Sequence, residues 1–131
     1  MTDYRLSIRV YWEDTDAGGV VFYANYLRFF ERARTEWLRG LGVGQQRLRD
    51  EAGLLFVVSD TRVRYLSPAR LDDTLHVTVS VREAGRASMR LAQQAWRDGT
   101  LLADGDIRIG CVDAGTFRPQ RIPSSILDRL R

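Results

Sequence analysis

One amphipathic segment does most to limit what this chain can fold into. From Tyr26 to about Leu41, the residues Tyr26, Phe30, Ala33, Trp37 and Leu41 recur at steps of three and four, and Phe29 and Leu38 widen the stripe. Arg28, Glu31, Arg32 and Glu36 fall on the solvated or interface-facing side. Asn25 is a natural N-cap, and Gly40 and Gly42 mark the exit. A helix so rich in large aromatics must bury one face, and it needs a sheet to lie against.

The remaining sequence supplies that sheet. "YRLSIRVYW" alternates, with Leu6, Ile8 and Val10 on one face and Arg5, Ser7 and Arg9 on the other. "LLFVVSDTRVRYL" reads as a strand ending at Ser67-Pro68. In "TLHVTVSVRE", Leu75, Val77, Val79 and Val81 share a face. Ala84-Gly85 turns this strand into "RASMRLAQQAWR", and Asp98-Gly99 is a two-residue hairpin signal leading into "TLLADGDIRIGCVD". The expected class is α+β: one long helix packed on a five-stranded antiparallel sheet, with strand, helix and then four strands joined largely by hairpins. "PSSILDRLR" is a candidate closing helix.

At 131 residues with no repeat, low-complexity tract or linker, the chain reads as a single domain over 1–131. No apolar run approaches the roughly 18 residues of a membrane span. "MTDYRLSIRV" lacks a basic stretch leading into an apolar one, so no signal peptide is expected, and the expected location is cytoplasmic. All twenty basic residues are arginine, a composition bias that also suits phosphate recognition. Arginine alternates with Asp and Glu along the chain, which argues against a nucleic-acid surface.

The usual nucleophile and metal signatures are missing. There is no G-x-S-x-G elbow, P-loop or dinucleotide fingerprint. The single histidine, His76, sits mid-strand opposite the apolar face, and the single cysteine, Cys111, reads as a small buried residue. One His, one Cys and adjacent carboxylates make no plausible metal-ligand set. What stands out is "EDTDAGGVVFYANY", which sets Glu13, Asp14 and Asp16 and the pair Gly18-Gly19 just ahead of the helix. An ionised Asp16 beside the free N–H groups of a helix amino end supplies both halves of an acyl-transfer site. The same residues are also ordinary turn formers, and pattern alone leaves the two readings level. If the loop is extended, Asp14 rather than Glu13 points the same way as Asp16.

The segment "RVYWEDTDAGGVVFYANYLRFFERARTEWLR" closely resembles the signature of the 4-hydroxybenzoyl-CoA thioesterase-like branch of the hotdog-fold superfamily, nearest to its Tol-Pal-associated acyl-CoA thioesterases. "YLSPARLDDTL", "GRASMRLAQQAW" and "CVDAGTFRPQRIP" extend the likeness over almost the whole chain. The resemblance implies a hotdog fold and hydrolysis of a short-chain or aromatic acyl-CoA. It makes Asp16 the catalytic carboxylate and the backbone N–H of Tyr23 the oxyanion donor, with Gly19 and Val20 of the same loop beside the substrate. Tol-Pal-associated members commonly carry His at the position of Tyr23 ("VVYHANY"); the aromatic here is more like the 4-hydroxybenzoyl-CoA enzymes. Arg86 of the "GRAS" turn is implied as a partner for coenzyme A phosphates, and Ser67 as a group facing the acyl chain. No cofactor is implied, coenzyme A being part of the substrate, and the active sites are implied to lie at the interfaces of a homodimer or homotetramer. The rivals are a dehydratase or hydratase, which would pair His with a carboxylate, and a non-catalytic binding or scaffold protein that keeps the fold.

Overall fold

The computed structural model describes residues 3–130. Its elements are strand β1 (Tyr4–Arg9), a 3-10 turn (Trp12–Asp14), helix α1 (Asn25–Gly40), helix α2 (Gln45–Ala52), strands β2 (Leu54–Tyr65), β3 (Thr74–Ala84), β4 (Ser88–Arg97) and β5 (Thr100–Asp113), and helix α3 (Ser124–Leu130). The strands form one five-stranded sheet in the order β1-β3-β4-β5-β2, every pair antiparallel.

The period reading of α1 holds. Tyr26, Phe29, Phe30, Ala33, Trp37 and Leu38 are its buried residues. They meet an inner sheet face made by Ile8, Leu75, Val77, Val79, Leu91, Ala95 and Ile107, all buried. Phe29 and Phe30 are fully buried, each stabilising the fold by about 1.5–3 kcal/mol relative to exposure. Register shifts at Ser59 in β2, Arg82 in β3 and Leu102 in β5 bend the sheet about the helix.

Three expectations change. Asn25 is not the cap: it is the first helical residue after Ala24, and its side-chain amide donates instead to the Asp14 carbonyl at 2.8 Å. The single long helix becomes three helices, of which α1 has 16 residues. The unforeseen one, α2, contains a single large apolar residue, half-buried Leu48, so it has no stripe to detect. It is held by Arg47–Glu51 and Gln46–Asp50 pairs four residues apart and by the left-handed Gly53 at its C-cap (φ +66°). Finally, β2 and β3 do not form a hairpin. β2 pairs with β5 at the edge opposite β1, and residues 66–73 cross back over the end of the sheet. That crossing positions the site. The closing helix is present as α3, while Arg131 of its expected segment lies outside the described residues.

Candidate active site

After β1 the chain must turn away from the sheet and enter α1, and hydrogen bonds fix how it does so. Val10 exchanges backbone bonds with Asp72 and Asp73, at 3.0 and 2.8 Å. The Trp12–Asp14 turn follows, its Asp14 carboxylate accepting from the Tyr11 N–H at 2.8 Å. The loop is therefore not extended, and Asp14 is engaged with its own turn rather than aimed at Asp16. Thr15 bridges Val21, and Asp16 N–H donates to the Val20 carbonyl at 2.9 Å, so residues 16–20 make a tight reversal. Gly19 sits at its tip with φ +78°, a conformation that favours glycine, and nothing within 4 Å of where a Cβ would stand. Val20 bridges Arg70, and Val21 N–H donates to Ala69 at 2.8 Å, which ties the reversal to the 66–73 crossing.

This folding back brings the Asp14 backbone to the start of α1, with Asp16 two residues further along the same loop. The Asp14 carbonyl accepts from Phe22 N–H at 3.0 Å and from the Asn25 side chain at 2.8 Å, clasping the loop onto residues 22–25. Asp16 is exposed, and one of its oxygens accepts from Gly18 N–H at 2.8 Å. Among the described residues its other oxygen has no partner, and neither do the N–H groups of Tyr23 and Ala24. An open carboxylate and two free N–H donors thus share one end of the molecule.

Beside them runs a groove of about 280 Å³ lined by Val21, Tyr23, Tyr26, Tyr65, Ser67 and Pro68. Tyr26 is buried and its hydroxyl accepts from Ala69 N–H at 3.2 Å; Tyr65 donates to the Tyr23 carbonyl at 3.0 Å. The two rings lie 5.5 Å apart, and Tyr23 stands edge-on to Tyr65 at 6.0 Å. Burial raises both the Tyr26 and Tyr65 phenol pKa values, so both are neutral hydrogen-bonding groups near pH 7. The loop aromatics do not pack α1 onto the sheet: Tyr11, Trp12 and Tyr23 are 61%, 83% and 62% exposed.

A clamp behind the groove was not anticipated. The Asp73 carboxylate accepts from Arg70 N–H and from the Arg97 guanidinium, both at 2.9 Å, and Arg97 also donates to the Pro68 carbonyl at 3.1 Å. Desolvation works to raise the Asp73 pKa, but these hydrogen bonds and the two arginine charges outweigh it, and the net shift is downward. A depressed carboxylate contributes stability that is complete above its unfolded pKa, about 3.9, and is lost as pH falls through the lower folded value. The stability gap between wild type and Asp73→Asn should therefore be widest at neutral pH and close as denaturation is measured at progressively lower pH below about 4. A gap independent of pH would contradict the clamp.

Not every expected site residue comes to this end of the sheet. Ser67 and Tyr23 do, and both line the groove. Arg86 lies in the β3–β4 turn, beyond the far end of β3 from Thr74. The 11 residues of β3 span roughly 35 Å at a strand's rise, so Arg86 and Asp16 of one chain do not share a site. The structure instead brings the C-terminal segment to Arg86: the Arg86 carbonyl accepts from Ile122 N–H at 2.7 Å, placing Arg121 alongside, and Pro119, next to Arg118, bridges Val112. His76 is half-buried near Ser7, 3.3 Å from its hydroxyl, and takes no part in the loop. Cys111 is buried, and burial pushes its thiol pKa up, away from nucleophilic use.

The sequence pattern describing the Thioesterase-like superfamily matches residues 10–130. This chain belongs to that superfamily. It is similar to the acyl-CoA thioesterase YbgC of Haemophilus influenzae, with 43% identity over 123 residues that cover 94% of this chain and 90% of that protein. Similarity to the acyl-CoA thioester hydrolase YbgC of Escherichia coli is 42% over 127 residues, 96% and 94% of the two chains. Among solved structures, a probable thioesterase from Bartonella henselae superposes with a TM-score of 0.88 at 30% identity, covering 93% of this chain and all of that one (100%). The family read from the quoted segments is thus borne out, and its pattern takes in the whole loop, groove and clamp of this thioesterase-like chain. Among its described residues no helix is long and apolar enough to cross a membrane.

Proposed function

We propose that the chain hydrolyses an acyl-CoA thioester to a free acid and coenzyme A. The observation that supports this reading is the open carboxylate of Asp16 in a loop whose Asp14 carbonyl is clasped to the start of α1, where the Tyr23 and Ala24 N–H groups have no acceptor among the described residues. In one form of the step, the free Asp16 oxygen attacks the thioester carbonyl carbon and the carbonyl electrons move to oxygen. Tyr23 N–H then holds the oxyanion. Collapse of the adduct breaks the C–S bond, expels coenzyme A as a thiolate and leaves a mixed anhydride, which water cleaves to the acid and regenerated Asp16. In the other form Asp16 takes the proton from water, and hydroxide adds to the same carbon. A thiol of pKa about 8.5 leaves well as the anion, so neither form needs a strong general acid, and none is placed in the loop. The scheme uses no cofactor; coenzyme A enters as part of the substrate.

Gly19, with open space at its α-carbon, and Val20 flank the reacting carbon in this scheme, while Ser67 and the Tyr23, Tyr26 and Tyr65 rings receive a short or aromatic acyl group. Arg86, with Arg118 and Arg121, is assigned the coenzyme A phosphates. Because these arginines stand at the other end of β3, they would serve a neighbouring subunit's Asp16, which favours a homodimer or homotetramer with interface sites. Exposed Trp12 and Tyr11 beside the loop favour the same arrangement. A cytoplasmic location belongs to this reading.

The test of the donor is a backbone change. Tyr23→Pro removes the N–H and should lower kcat by about 10²–10³-fold, whereas Tyr23→Phe keeps it and should stay within a few fold of wild type. A fully active, normally melting Tyr23→Pro protein would remove Tyr23 N–H from the mechanism. The second reading, a non-catalytic acyl-CoA binding protein, is favoured by one observation: the Asp16–Gly18 bond is also what an ordinary Asx turn makes. Equal release of acid and thiol from one acyl-CoA supports hydrolysis; a rise in melting temperature with coenzyme A and no thiol release from any thioester supports binding alone.

A further inference from the structure

Both free N–H groups at the start of α1 belong to peptides whose carbonyls are engaged, and the two are engaged differently. The Tyr23 N–H shares its peptide with the Phe22 carbonyl, which accepts from Asn25 N–H at 2.8 Å, a bond made within the turn itself. The Ala24 N–H shares its peptide with the Tyr23 carbonyl. That oxygen receives a long bond from the turn, 3.4 Å from Tyr26 N–H, and a shorter one from outside it, 3.0 Å from the Tyr65 hydroxyl. Among the described residues, Tyr65 is the one group beyond the turn that hydrogen-bonds to either peptide.

Tyr65 is itself firmly held. It ends β2, paired with Ala103 of β5, and the next two N–H groups, of Leu66 and Ser67, both donate to the Leu102 carbonyl, at 2.8 and 3.2 Å. Its ring stands edge-on to Tyr23 at 6.0 Å and tilted to Tyr26 at 5.5 Å. The hydroxyl therefore ties the end of the sheet to a peptide otherwise held only by its own turn. Two effects on Ala24 come from peptide chemistry. A trans peptide is planar with its N–H and C=O opposed, so a donor that fixes the oxygen also fixes where the hydrogen aims. A hydrogen bond to the oxygen also polarises the unit, strengthening the next bond in the chain by about 10–30%.

We infer that Tyr65 is a positioning residue: by donating to the Tyr23 carbonyl it holds the Tyr23–Ala24 peptide and makes the Ala24 N–H a second oxyanion donor beside that of Tyr23. A tetrahedral oxyanion has lone pairs for more than one donor, and donors fixed in advance need no reorganisation as the charge develops. The Tyr65 hydroxyl touches neither the reacting carbon nor the proton that moves; it acts through the peptide it bonds. The inference rests on the hydrolase reading, because an oxyanion forms only when the thioester is attacked.

The test is Tyr65→Phe, which keeps the ring that lines the groove and removes only the donor. It should lower kcat by about tenfold, less than the 10²–10³-fold expected for losing an oxyanion donor outright, with KM within about twofold of wild type. The Ala24 amide nitrogen resonance should shift in the same variant, because the carbonyl of its own peptide loses a donor, a change that packing of the ring alone would not produce. A meta-fluorotyrosine at position 65 restores the hydroxyl and should return kcat to within about twofold of wild type. Undiminished kcat in Tyr65→Phe, a loss seen in KM instead, no recovery with fluorotyrosine, or an unmoved Ala24 resonance overturns the inference and leaves wild-type hydrolysis standing. Absence of thiol release from wild type overturns the hydrolase reading, and this inference with it, so wild-type turnover tells the two failures apart.

Discussion

Asp16→Asn should lower kcat on a good acyl-CoA substrate by about a thousandfold or more, while the melting temperature stays close to that of wild type. The size of the effect follows from what is removed: the Asp16 carboxylate oxygen that has no partner among the described residues, whether it attacks carbon or takes a proton from water, roles worth about 10²–10⁴-fold. Stability should survive because the Asn oxygen can still accept from Gly18 N–H, the one hydrogen bond that the Asp16 side chain makes. An exposed, nearly isosteric change of this kind usually alters stability by no more than about 0.5 kcal/mol. KM should change little, since the carboxylate contributes to the transition state rather than to holding coenzyme A. A variant that melts far below wild type would mean that the turn, and not the chemistry, is what Asp16 supplies.

The largest effect on stability is expected at Gly105. This residue is buried in the middle of β5, paired with Gln93 on β4 and Val63 on β2. A Cβ there would stand 2.8 Å from Cε2 of Phe30 and 3.1 Å from the Gln93 carbonyl oxygen. Phe30 is fully buried, so its ring cannot swing into solvent, and the backbone oxygen cannot move without breaking the sheet. Gly105→Ala should destabilise by about 1–3 kcal/mol through overpacking, and Gly105→Val by more. Shortening the opposing side chain should relieve the clash: in Gly105→Ala with Phe30→Leu, the combined loss should fall well short of the sum of the two single losses, a coupling measured by a double-mutant cycle in urea. Additive losses would mean that the ring and the strand do not meet as described.

Much of this was legible in the residues, for physical reasons that differ from element to element. The α1 stripe was readable because six large or small apolar side chains at helical spacing all face one sheet. Strands β3, β4 and β5 were readable because alternation and turn residues agree, Asp98 taking the positive φ of +52° that its hairpin demands. Helix α2 was not, since eight residues held by side-chain pairs leave no hydrophobic period. The place of β2 was not, because alternation says which side of a strand is buried but nothing about which strand it pairs with; only the 66–73 crossing sends it to the far edge. Gly105 did carry a signal, a glycine inside a strand that marks close backbone approach, though its partner Phe30 lies 75 positions away in sequence (105 less 30).

The site divides in the same way. Asp16, Gly19 and Tyr23 are near in sequence, so one segment sufficed to pair them. Ser67 and Tyr65 join them only because Ala69 and Arg70 dock on Val20 and Val21. The Asp73–Arg97 clamp joins two exposed-looking charges from different elements, and no local pattern announces it. Arg86 shows the limit from the other side: a residue named for the site stands a full strand length away in the same chain.

The most direct test of the account is thiol release from short-chain, long-chain and aromatic acyl-CoAs by wild type and Asp16→Asn side by side. The account predicts turnover of a short-chain or aromatic thioester by wild type and none above background by the variant. Stabilisation of both proteins by coenzyme A, with no thiol released from any thioester by either, would contradict it and leave a binding protein in the place of the enzyme.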